Sequence, residues 1–273
     1  TMVLTGTDAI TDDIKVVGTV AVKVLGVGGA DTLTGGEGAD TLTGSEGDDV
    51  IDGYLGADTI DGGTGADTID GGDDADVLTG NVGSDTITGG ADSDIAVFAG
   101  NQADYTFASS TDGLTIAVTH VSTGDADTVT EIETFHFDDG DIGVSHDGNN
   151  LVLTGTDTIT DDIKVVGTVP VTVKGSGDAD VLTGGEGDDT IEGGAGADVI
   201  DGGLGADTIE GGSGADRIEG GSGADSIDGG TGADTIDGGA DADTLKGNLG
   251  SDIITGGTGS DIAEFAGKQS DYT

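Results

Sequence analysis

An aspartate recurs every ninth residue through two long stretches of this chain, each followed two positions later by an apolar residue. The first stretch carries Asp31, Asp40, Asp49, Asp58, Asp67, Asp76, Asp85 and Asp94. The second carries Asp180, Asp189, Asp198, Asp207, Asp216, Asp225, Asp234, Asp243, Asp252 and Asp261. Carboxylates repeated in register among glycines can do one thing well, which is to present hard oxygen donors to cations. Hard divalent cations take six to eight oxygens from carboxylates and main-chain carbonyls. A solvated acidic face on a glycine-rich coil would show the charge without fixing every aspartate beside a Leu or Ile, so disorder does not describe the pattern.

The elements that position these aspartates follow from the same period, which is the signature of a repeat architecture. Cut from Gly26 in steps of nine, the chain gives eight blocks to Val97; cut from Gly175, it gives ten blocks to Glu264. Position six is Asp in all eighteen, and position eight is Leu or Ile in sixteen, with Ala96 and Ala263 closing the two runs. In the block GGTGADTID at 62–70 the glycines suit a tight turn, and Thr68-Ile69-Asp70 reads as a very short strand with one inward side chain. One buried Ile contributes about 1.5–3 kcal/mol, whereas ordering nine residues costs about 1–2 kcal/mol each. The thin core loses that comparison, so a bound cation must order the chain. If two nonapeptides make one turn, alternate blocks stack at ~4.8 Å and an ion fits between each stacked pair. That geometry predicts about 14 ions in all. Calcium suits the donor set; magnesium demands a stricter octahedron, and zinc lacks its usual Cys and His ligands.

The motif G-G-x-G-x-D-x-U-x, eighteen times in register, resembles the RTX (repeats-in-toxin) calcium-binding β-roll. DYTF at 104–107 and EIETFHFDDG at 131–140 resemble the domain that often follows such rolls. The resemblance implies an all-β fold, a right-handed parallel β-roll with calcium in the loops, type I secretion and folding outside the cell. It maps the ligands onto the position-six aspartates and onto carbonyls of positions two and four. In the first array these are Gly36, Gly38, Gly63 and Gly65. In the second they are Gly185, Gly187, Gly194, Gly196, Gly203, Gly205, Gly212, Gly214, Gly221, Gly223, Gly230 and Gly232. Position four is instead Asp at Asp74, Asp92, Asp178 and Asp241, where a left-handed backbone is costlier than for glycine. Position two is Val27, Ser45, Tyr54, Asn81, Ser176 or Asn248 in six blocks. Asp31, Asp94, Asp180 and Asp261 lie in end blocks and lack a stacked neighbour on one side.

A longer period covers this one. Residues 3–25 and 152–174 match at 19 of 23 positions, and FAGNQADYT (98–106) resembles FAGKQSDYT (265–273) at seven of nine. The expected organisation is a leader of strands at 1–25, a roll at 26–97, and a post-array antiparallel β module at 98–150. A second leader at 151–174, a second roll at 175–264 and the start of a second module at 265–273 complete it. Leu114–Thr119 and Thr134–Phe137 read as antiparallel strands capping the open end, and nothing has helical periodicity.

Seven basic residues against 55 acidic ones give a net charge of −48, which opposes compaction unless cations neutralise it. The balance excludes a nucleic-acid partner and disfavours an anionic membrane surface. No apolar run approaches a membrane span, and the first residues lack a secretory signal pattern, so export is expected to use a signal elsewhere. The chain has no Cys and neither HExxH nor GxSxG. His120, His136 and His146 read as single surface or strand histidines with no pairing partner, and Glu131 and Glu133 as one exposed strand face. Asp138-Asp139-Gly140-Asp141 reads as a turn with room for one more cation. The expectation is a non-enzymatic, calcium-binding structural or interaction segment of a large secreted bacterial protein. An adhesin, a surface-layer protein or an extracellular filament fits it, with neighbouring copies or modules as partners. The alternative is the secretion and folding tail of an exported enzyme or toxin. An ice-binding face is disfavoured, because position three is Thr only at Thr64, Thr231 and Thr258.

Overall fold

Glycine-rich loops alternating with three-residue β-formers should produce short strands stacked in parallel, one turn upon the next. In the computed structural model, which describes residues 2–6, 13–148, 150–156 and 160–265, they do. Among the described residues the chain is all-β, and its one helical element is a single 3-10 turn at Gln102–Asp104. Two compact units divide it: Thr1–Tyr105 with Leu114–Val144, and Thr106–Gly113 with Ser145–Thr273.

In the first unit two parallel sheets run the length of the array. Thr41–Glu46, Thr59–Thr64 and Val77–Val82 stack in one, with Thr59 opposite Val77, so a turn is 18 residues. Thr32–Gly36, Val50–Tyr54, Thr68–Asp73 and Thr86–Ala91 stack in the other. The leader strands are themselves parallel members of these sheets. Asp13–Lys15 pairs with Thr32–Gly36, and Met2–Thr5 pairs with Val22–Leu25, which pairs with Thr41–Glu46.

The post-array segment corrects one expectation. Ala126–Thr130 and Thr134–Phe137 pair in parallel with Thr86–Ala91 and Ile95–Val97, adding a further turn to the roll. Antiparallel pairing begins one strand further out, where Thr115–His120 meets Ala126–Thr130 and Gly140–Asp147 meets Thr134–Phe137. The reason is the inward column: Val129 lies in register with Ile87 and Phe135 with Ala96, and all four are fully buried. Ala96, which breaks the Leu/Ile ladder, is the small neighbour of a large ring. Phe98, Tyr105, Phe135 and Phe137 then close the end with ring centroids 5.2–5.6 Å apart.

The second unit repeats the plan. Thr172–Lys174 pairs with Thr190–Glu192, and Thr190–Ala195 with Thr208–Ser213. Val181–Gly185, Val199–Leu204, Arg217–Ser222 and Thr235–Ala240 form the facing stack. Phe107, fully buried, bridges Val165 and accepts the Val166 N–H at its carbonyl. Apart from Phe265, the expected second post-array module lies outside the described residues.

The core of each array is a single-file column of position-eight side chains. Ile60, Ile69, Leu78, Ile87, Ile209 and Ile227 are at most 1% exposed. Position seven faces outward, so within the arrays the buried apolar side chains come from this column. Ile209→Ala is expected to cost about 2–4 kcal/mol, read from denaturant unfolding with cations present. Val17→Ala, at a residue 86% exposed, is expected to change stability by less than about 0.5 kcal/mol.

Candidate metal centre

Each position-six aspartate stands at the corner where loop becomes strand. Its backbone N–H donates to Oδ1 of the aspartate one turn later, as Asp49 to Asp67 at 2.8 Å, Asp58 to Asp76 at 2.7 Å and Asp198 to Asp216 at 2.9 Å. Its carbonyl accepts the N–H of the residue after that same aspartate, as Asp49 does from Thr68 at 2.8 Å. The carboxylate thus stands in for a peptide group in the ladder, and it is buried to do so. Sixteen of the eighteen are at most 3% exposed.

One oxygen of each carboxylate is thereby satisfied and the other is not. Oδ2 is buried without a hydrogen-bond partner at Asp40, Asp49, Asp58, Asp67, Asp76, Asp85 and Asp94 of the first array. The same holds at Asp189, Asp198, Asp207, Asp216, Asp225, Asp234 and Asp243 of the second. A buried ionised oxygen without a partner is strongly destabilising. Burial first, with like charge one turn away adding to it against the lowering effect of the ladder hydrogen bond, brings Asp58 and Asp207 up to about 7. Asp67, Asp76, Asp189 and Asp198 rise to about 6 for the same reasons, burial first.

A second oxygen, a main-chain carbonyl, faces eleven of these fourteen. At Gly44 a Cβ would strike both Asp49 Oδ2 and the carbonyl oxygen of Gly62, one turn on. Asp58 and Gly71 meet in the same way at Gly53, Asp207 and Gly220 at Gly202, and Asp225 and Gly238 at Gly220. The carbonyl beside the carboxylate therefore belongs to position one, which the sequence reading missed. The signal was present, because position one is Gly in all eighteen blocks while position two varies. Its φ lies outside the left-handed region, so position one is glycine for lack of space.

The carbonyls assigned to positions two and four point along the stack instead. Those of Gly185, Gly194, Gly203, Gly212 and Gly221 face the next turn's position two, and those of Gly65, Gly187, Gly196, Gly205, Gly214 and Gly232 face its position four. Gly36 and Gly230 accept the Leu55 and Leu249 N–H groups at 3.0 Å. Most loop residues at these positions are left-handed, including substituted ones: Tyr54 at φ +82°, Asn81 at +71°, Asp74 at +78°, Asp92 at +81° and Asp241 at +80°; Val27, Gly38, Ser176 and Gly187 are not. Asp178, in the first block of its array, is not among the left-handed residues.

Of the end aspartates, Asp31, Asp94 and Asp180 are buried, because leader and post-array turns stack upon them. Asp252 is half-buried and Asp261 exposed, and the bonds that reach them lengthen to 3.2 Å. The ladder also runs beyond the nonapeptides. Asp85 N–H donates to Asp127 Oδ1 at 2.9 Å, and Asp161 N–H donates to Asp180 Oδ1 at 2.8 Å. STGDADTVT at 122–130 matches GSGDADVLT at 175–183 at five of nine positions, which could have revealed Asp127. Asp161 hides because its loop is one residue longer.

The histidine reading needs one correction. His136 Nδ1 lies 2.5 Å from Asp141 Oδ1, because the hairpin register sets these two residues opposite each other. Glu131 and Glu133 share no strand; Glu131 is left-handed at φ +53°, and Glu133 Oε2 accepts the Asp94 N–H.

Two outcomes follow. The raised carboxylates favour the protonated folded state, so without cations their contribution is fully present below about pH 4 and is lost as pH rises through 6–7. In chelator, circular dichroism is expected to show more β-structure at pH 4.5 than at pH 7.5. Gly202→Ala is expected to lose about 1–3 kcal/mol by overpacking, read from thermal melts with cations present.

Comparison with known families places a match to the RTX calcium-binding nonapeptide repeat at residues 25–60, 61–96, 174–209, 202–236, 210–245 and 228–263. No curated protein matches the chain. Among solved structures, the extracellular lipase LipA of Serratia marcescens aligns with 80% of this chain at 18% identity and a TM-score of 0.22. The chain spans 32% of that lipase's length.

Proposed function

Because the chain belongs to the RTX calcium-binding nonapeptide repeat family, we propose that it is a calcium-ordered structural or interaction segment of a secreted bacterial protein. It would reach its fold only outside the cell. The observation that carries the reading is the run of fourteen buried aspartate oxygens without hydrogen-bond partners, eleven of them facing a main-chain carbonyl of the next turn. Orphaned carboxylate oxygens facing main-chain carbonyls fit a hard cation. About 14 ions are held, by the position-six aspartates with loop carbonyls completing the set.

The chain's own residues define the switch. The Oδ1 ladder fixes each carboxylate in place, and the position-eight column drives stacking once charge no longer opposes it. Bound calcium supplies the positive charge that the buried carboxylates lack. Where calcium is scarce, burial of these carboxylates and a net charge of −48 hold the chain open. Every aspartate of the ladder is committed to that role, so the segment carries no catalysis of its own in this reading.

A duplicated leader and array suit a tandem stalk or surface assembly, since stacked repeats extend a rod or repeat a contact. An adhesin, a surface layer or an extracellular filament uses such a segment. The test is a calcium titration at pH 7.5 read by far-UV circular dichroism. A cooperative rise in β-structure with a midpoint of ~0.1–1 mM, typical of extracellular calcium modules, is expected. β-structure complete in chelator at that pH would sink the proposal. Filaments or sheets seen by electron microscopy after loading would favour assembly of copies.

A further inference from the structure

At the end of the first array the repeat motif stops, but its donor geometry does not. Asp94 closes the last nonapeptide, is fully buried, and leaves Oδ2 without a hydrogen-bond partner. In the interior of the array, the carbonyl facing such an oxygen comes from a position-one glycine of the next turn. Here it comes from Glu131, whose carbonyl oxygen and Asp94 Oδ2 converge on Gly89. Glu131 turns its carbonyl there with a left-handed backbone, φ +53°, unusual for a residue other than Gly, Asn or Asp.

The acceptor of the Asp94 N–H is replaced as well. Inside the array it is the next aspartate; here Glu133 Oε2 takes the bond at 2.9 Å. The strand bond that follows is retained, with Thr134 N–H donating to the Asp94 carbonyl at 3.1 Å. Two residues of a non-repeat segment thus reproduce both halves of a loop site whose nonapeptide version spans six residues. Burial first, and then the neighbouring charges of Glu133, Asp92 and Glu131, disfavour charge on Asp94.

We propose that Asp94, the Glu131 carbonyl and Glu133 form a calcium site completed from outside the nonapeptide motif, clamping the post-array turn onto the roll. The proposal rests on the calcium reading above. Its consequence is that Thr134–Phe137 and the aromatic cluster behind it order at the same calcium threshold as the array.

The test uses the full chain. Ions are counted by native mass spectrometry at calcium saturation, and hydrogen exchange of 134–143 is followed against calcium, with 59–73 as the internal reference. Glu133→Gln keeps an acceptor for the Asp94 N–H and removes the charge. At the calcium concentration that just saturates the parent it is expected to hold one ion fewer, and it is expected to need about tenfold more calcium to protect 134–143, with 59–73 unmoved. Glu131→Gly keeps the carbonyl and relieves the left-handed residue, and is expected to keep the parent ion count. A Glu133→Gln count equal to the parent's would overturn the site. So would protection of 134–143 in the parent chain in chelator, a result that does not depend on any variant folding. If 59–73 in the parent shows no calcium dependence, the underlying reading fails instead.

Discussion

The fold depends on a carboxylate used as a backbone group. At every turn an aspartate fills the corner between loop and strand, takes an amide hydrogen bond on one oxygen, and leaves the other oxygen buried. Hydrogen bonding fixes the geometry, and the unsatisfied oxygen makes that geometry untenable alone. In an ordinary domain a buried charge is neutralised by a nearby base. Here the nearest neighbours along the stack are other carboxylates, and the whole chain has only seven basic residues. In the proposed reading, order in the roll is conditional on a charge from solution, and that condition is built into each turn.

The apolar column contributes differently. It gives direction and register to stacking but is one side chain wide, so it cannot outweigh eighteen ladder carboxylates. The position-one glycines tie the two systems together, because they let a carboxylate and a carbonyl approach where a methyl group would stand. The left-handed positions are more forgiving, and Asn, Asp, Ser and even Tyr occur there.

The array was legible because its period recurs eighteen times, so Asp and Leu/Ile stood out without any structural knowledge. Less legible were the turns at its ends. Asp127 sits in a block that keeps only part of the motif, Asp161 in a loop lengthened by one residue, and Glu133 replaces aspartate altogether. Thr134–Phe137 reads as an antiparallel strand from the hairpin it forms with Gly140–Asp147, whereas its second, parallel partner is 39 residues away. Period detects repetition; it does not detect a turn rebuilt from different residues around the same hydrogen bond.

One feature of the stacking bears on how the chain finds its fold. Within the array every pairing is offset by 18 residues, and Thr, Ile and Asp recur at equivalent places. A strand that slid by one whole turn would meet the same partners, so the arrays alone are nearly degenerate in phase. The flanks are not. Met2 pairs with Val22 at an offset of 20, Asp13 with Thr32 at 19, and Thr86 with Thr128 at 42. These odd spacings act as end stops on a ruler with identical marks, and they select one alignment among many that the marks themselves cannot tell apart.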